Sequence, residues 1–178
     1  MKRIFIFTIC ISAFGVFNPA YANTSKIDNE CKIIQKNIGS LEVNTVNISG
    51  RSSEGGEAKY YRDNGGSIRL LVVNLYFESG RMIEKFYFKD NSIIFANSQY
   101  FRYNVPFYVT PELAKEIGSE SFDPEKTKFS EEKFYFDQAK MVQWSNEESE
   151  AIAPNSQKFK VKAQEILKEI SALLNKET

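Results

Sequence analysis

The chain has 178 residues, 42% of them apolar and 26% charged, with 23 basic side chains against 23 acidic ones and no histidine. The missing histidine excludes Ser-His-Asp and Cys-His catalytic pairs, the HExxH zinc site and any imidazole metal ligand. The balanced charge supplies no long-range field for nucleic acid or an anionic membrane.

Residues 1–22 read as an export signal. Lys2 and Arg3 open it, Ile4 to Phe17 form an apolar run, Pro19 interrupts, and Ala20-Tyr21-Ala22 offers small residues to a signal peptidase. The run is shorter than the roughly 20 residues a membrane span needs. Cys10 lies mid-run behind Phe7-Thr8-Ile9, unlike a lipid-attachment cysteine. Cleavage after Ala22 predicts a single domain over residues 23–178, periplasmic or secreted and without a membrane anchor. That domain is slightly acidic and keeps one thiol, Cys31. One thiol closes no internal disulfide, so the fold must rest on its apolar core.

Ile27, Cys31, Ile34, Ile38 and Leu41 form one helical stripe and predict a helix over 26–41, with Ser25 or Asp28 as cap and Gly39 as stop. Cys31 lies on the stripe and reads as a small buried hydrophobe. Residues 43–50 predict a strand. Four more strand candidates follow, Ala58–Arg62, Ser67–Phe77, Arg81–Phe88 and Ser92–Tyr103, separated by turn signals such as Asp63-Asn64-Gly65-Gly66 and Glu78-Ser79-Gly80. The segment from Leu70 to Phe77 is apolar at both parities, as in a central strand covered on both faces. Thr110-Pro111-Glu112 opens a short helix through Ile117, and Gly118 ends it. Phe122–Glu125 reads as loop or turn. Two strands, Glu131–Phe136 and Ala139–Ser145, precede an amphipathic helix that carries Phe159 to Leu174 and is capped by Asn155 or Ser156. The expected fold is α+β: an antiparallel β-meander of six or seven strands, one face packed against the N- and C-terminal helices.

Residues 84–88 and 132–136 both read Glu-Lys-Phe-Tyr-Phe, each followed by a polar turn and another apolar strand. Hairpins of this kind stack Tyr and Phe across neighbouring strands. With Glu54-Gly55-Gly56-Glu57, Tyr103-Asn104-Val105-Pro106 and the charged C-terminal helix, these features make the chain resemble a group of secreted or periplasmic bacterial proteins of uncharacterised activity. The aromatic hairpins are also similar to the aromatic–glycine repeats called MORN, although the spacing is irregular and Asn or Gln often replaces the Gly. The resemblance implies a common fold and carries no catalytic residues with it.

Chemistry-bearing motifs are few. There is no EF-hand, no thiolate metal site, no SxxK or GxSxG nucleophile and no phosphate-binding glycine loop. No cofactor is expected. Tyr100 to Tyr108 concentrates aromatic rings where the strand pattern breaks, a place where binding residues often sit. Arg102, Tyr103, Asn104 and Tyr108, joined by Trp144, are therefore the candidate binding residues, for an envelope protein or a small ligand. The alternative is a carboxylate-dependent hydrolase of envelope glycans, with Glu54 and Glu57 as the acid pair.

Overall fold

Short polar turns between β-branched and aromatic runs make each strand pair with the one before it. A computed structural model describes residues 19–176, with side chains from residue 24 onward. Residues 1–18 of the expected leader, with Cys10, lie outside them, and the expected cleavage point after Ala22 falls within the first helix.

Helix α1 (Pro19–Lys36) leads through a single 3-10 turn (Ile38–Ser40) into β1 (Glu42–Ile48). There follow β2 (Gly56–Arg62), β3 (Ile68–Phe77), β4 (Gly80–Lys89) and β5 (Ser92–Arg102). Helix α2 (Pro111–Ile117) interrupts before β6 (Lys128–Asp137), β7 (Lys140–Ser145) and helix α3 (Gln157–Leu174). All seven strands form one antiparallel sheet in sequence order, the α+β meander expected.

Two details differ from the sequence reading. Helix α1 starts seven residues earlier than the 26–41 span and stops at Lys36; the apolar stripe outlasts it, since Ile38 and Leu41 still pack on the same cluster from the 3-10 turn and the residue after it. The two long helices also cover opposite faces. Ile34 of α1, with Cys31 beside it, packs on Leu70 and Tyr87. Phe159, Ile166, Ile170 and Leu173 of α3 pack on Leu71, Val73, Phe86, Phe134 and Trp144. Successive residues of a strand point to opposite faces, so the two-parity apolar run in β3 serves both helices.

Local signals fix the helix ends. Thr110 accepts from the Leu113 amide, Pro111 begins α2, and Gly118 closes it at φ 68°. Ser156 caps α3 by accepting from the Phe159 amide. At the other end of α3 the buried Tyr60 hydroxyl donates to the Leu173 carbonyl at 2.7 Å. The β4–β5 and β6–β7 hairpins turn through pairs with positive φ, Asp90-Asn91 and Gln138-Ala139. These are the mirror-image turns whose twist matches that of the strands.

Candidate functional site

The two Glu-Lys-Phe-Tyr-Phe copies lie in β4 and β6 and sandwich β5. Glu84 faces Ser98, which faces Glu132; Lys85, Asn97 and Lys133 form the next row, then Phe86, Ala96 and Phe134, then Tyr87, Phe95 and Tyr135. In both copies the register slips at the same place, before Phe88 and before Phe136. The repeat therefore builds a local symmetry about β5. Small Ala96 leaves room between two phenylalanine rings, and the two glutamates are buried beneath α3 with the intervening Ser98.

Buried carboxylates need partners, and each has its own set. Glu84 accepts from Arg51 Nη2 at 2.9 Å, and the same guanidinium also pairs with Glu169 of α3. Glu132 accepts from Tyr100 Oη, Trp144 Nε1 and Lys162 Nζ, each at 3.0 Å. Burial raises the Glu84 carboxyl above its ordinary range, with Arg51 opposing it. Burial and the neighbouring Glu132 push the Tyr100 phenol far up, which keeps it a neutral donor. Lys162 and Glu169 are two turns apart on α3, so one flank of that helix docks on both acids.

Beside Glu132 the ends of β5–β7 and the first turns of α3 enclose a cleft of about 610 Å³, lined by Tyr100, Trp144, Lys158 and Lys162 among others. The Trp144 ring is buried. Lys158 Nζ lies 5.0 Å and Lys162 Nζ 5.6 Å from its centroid. Of the wall groups, Tyr100, Trp144 and Lys162 are all bonded to Glu132.

The opposite face of the sheet is different. Tyr76, Arg81, Phe101 and Phe129 stand side by side across β3–β6. Helix α1 covers the row of Leu70 and Tyr87, six residues away along β3, or about 20 Å. The aromatic row is left open, with Tyr76 42% and Phe129 56% exposed. Three of the four side chains touch: Phe101 and Phe129 are 5.3 Å apart, and Arg81 lies 4.4 Å over Phe101. Phe107 and Tyr108, both about half exposed, are anchored beside the β3–β4 turn by bonds to Glu78, from the Phe107 amide at 2.9 Å and the Tyr108 hydroxyl at 3.4 Å.

The sequence-predicted residues divide among three places. Arg102 lies by the cleft, paired with Glu147 at 2.7 Å and bonded to Ser130; Trp144 forms part of the cleft wall. Tyr103 packs on Phe122, and Asn104 staples the 104–123 loop through the Ser121 carbonyl and the Asp123 amide, so both shape the loop. Tyr108 is about half exposed and packs edge-on against Phe107 beside the β3–β4 turn. Of the alternative acids, Glu54 sits exposed on its turn, while Glu57 pairs with Lys59 at 2.9 Å and accepts from Asn74 at 3.1 Å. The acids brought to one buried row are Glu84 and Glu132, which the sequence reading passed over. Their signal was the repeat itself, which sets a Glu two residues before a Phe in each copy and so on the same face as that core residue. Cys31 is half-buried, and burial with Asp28 and Glu30 pushes its thiol up to about 12, the behaviour of an inert packing residue.

No family model, curated protein or solved structure matches the chain.

Proposed function

We propose that this is an exported, non-enzymatic interaction protein that engages an envelope partner through the open aromatic row. The observation that carries the reading is the in-register set Tyr76, Arg81, Phe101 and Phe129, ordered by the sheet and left uncovered. Aromatic and arginine side chains are enriched in interfaces because they join large apolar area to a polar tip. A rigid sheet holds them with little ordering cost on binding.

The buried acids weigh against a glycan hydrolase. Two carboxylates flanking one position suit such chemistry only when substrate reaches them. Glu84 and Glu132 are 3% and 6% exposed, each is already bonded to a cation, and α3 lies over both. They hold the helix to the sheet.

The test is capture from an envelope extract by the immobilised protein, run beside a Tyr76→Ser/Phe129→Ser variant. Both side chains are exposed, so the variant should fold. A partner held by the parent and lost by the folded variant supports the reading. A partner retained equally by both, or none captured by either, contradicts it.

A further inference from the structure

A seven-stranded open sheet has two edges, and this chain treats them differently. The β7 edge is covered at its Trp144-Ser145 end by the chain's own return: Ser145 bridges to Ala151, and the Ile152 amide donates to the Trp144 carbonyl at 2.9 Å. Among the described residues the β1 edge has no such cover. Residues 42–45 and 47 are exposed, with Val43 at 53%. Edge strands present unpaired amides and carbonyls, and proteins guard them with lysine, proline, bulges or short length. Strand β1, Glu-Val-Asn-Thr-Val-Asn-Ile, contains no lysine, arginine or proline, and it pairs with β2 over seven consecutive residues without a register shift. Four of the seven residues, Val43, Thr45, Val46 and Ile48, are β-branched and favour a strand.

We propose that β1 is the pairing edge for a second copy of this chain, joining two sheets into one through an antiparallel β1–β1 contact about a two-fold axis at Thr45. The strand's charge pattern argues for a copy of itself. Its one charged residue, Glu42, stands at one end. A two-fold axis through Thr45 sets each Glu42 against the other copy's Ile48, so the two carboxylates lie at opposite ends of the contact, about 20 Å apart. Val43 then faces Asn47, Asn44 faces Val46, and Thr45 faces Thr45, a pairing that favours contact across strands. Directly opposed residues share a face in this register, so both aromatic rows fall on one side of the joined sheet. Such an interface is isologous and closes at two subunits.

The test is sedimentation equilibrium of the full chain beside Thr45→Lys and Thr45→Glu variants. Thr45 is exposed, so either substitution leaves the core untouched. The parent should sediment as a dimer. Each variant alone should associate about tenfold or more weakly, because like charges meet at the axis. An equimolar mixture of the two should recover the dimer. In the parent, amide exchange across 42–48 should also slow as concentration rises, a readout that needs no variant. A parent that stays monomeric overturns the proposal. So does a dimer that Thr45→Lys leaves intact, a mixture that fails to re-associate, or exchange at β1 independent of concentration.

Discussion

Glu84 and Glu132 occupy equivalent positions in two copies of one five-residue segment and flank Ser98 from neighbouring strands beneath α3. Two carboxyls in one buried layer are tolerated because the helix and the 51 loop supply a cation to each, Lys162 to Glu132 and Arg51 to Glu84. The layer adds to the apolar contacts of α3 two ion pairs, through Lys162 and Glu169, that fix its position along the sheet.

Removing one acid should therefore be expensive. Glu132→Ala strips the acceptor from Tyr100, Trp144 and Lys162 together. We expect a loss of about 3–5 kcal/mol in urea unfolding, the usual cost of breaking a buried pair from one side. Replacing Glu132 and Lys162 together by Leu and Met should cost clearly less than the single change, because no charge is left stranded.

Glu84 should also set a pH trend. Its carboxyl is raised in the folded state by burial. Its contribution to stability is then full below the unfolded value of about 4.3 and is lost as pH rises through the folded value. The urea midpoint of Glu84→Gln relative to the parent should improve from about pH 4 toward neutrality. Glu147 has the opposite sign: the Ser130 hydroxyl and then Arg102 lower its carboxyl. Its contribution is present above the unfolded value and falls away as pH drops through the folded one, so Glu147→Gln should flatten the acid limb.

The β6–β7 turn holds Ala139 at φ 60°, and its counterpart in the β4–β5 turn is Asn91 at φ 58°. An alanine pays for the left-handed region, which asparagine tolerates better. Ala139→Gly should stabilise by about 1 kcal/mol in thermal unfolding, and Asn91→Gly by less.

At Gly80, where β4 begins, a Cβ would run into the Phe101 carbonyl oxygen of β5. All the atoms it would meet are backbone of Phe101 and Arg102, which leaves little room to yield. Gly80→Ala should destabilise by about 1–3 kcal/mol and loosen the Arg81–Phe101 contact next to it, which the unfolding midpoint and the exchange rates of the β4–β5 amides would reveal.

The meander was legible because its turns are written in Asp, Asn and Gly between β-branched runs, and Ser156 and Thr110 announced their helices. The placement of α1 and α3 on opposite faces was not legible: the double parity of Leu70 to Phe77 says that both faces are covered without saying by what, and the sequence reading set both helices on one face. The candidate site was less legible. Tyr103 and Asn104 look like binding residues in the sequence but serve the loop, because side-chain-to-backbone staples leave no periodic trace. Phe129 lay outside the expected 131–136 strand, so its alignment with Phe101, Arg81 and Tyr76 became visible only once the register of four strands was known.

The most direct test of the interaction reading is a photo-crosslinking amino acid placed at Phe129, with a control at Lys160, an exposed residue of α3, the helix on the other side of the sheet. Illumination in the envelope should yield a discrete adduct from position 129 and none from position 160. No adduct at 129, or the same adducts from both positions, would contradict an interaction through the aromatic row.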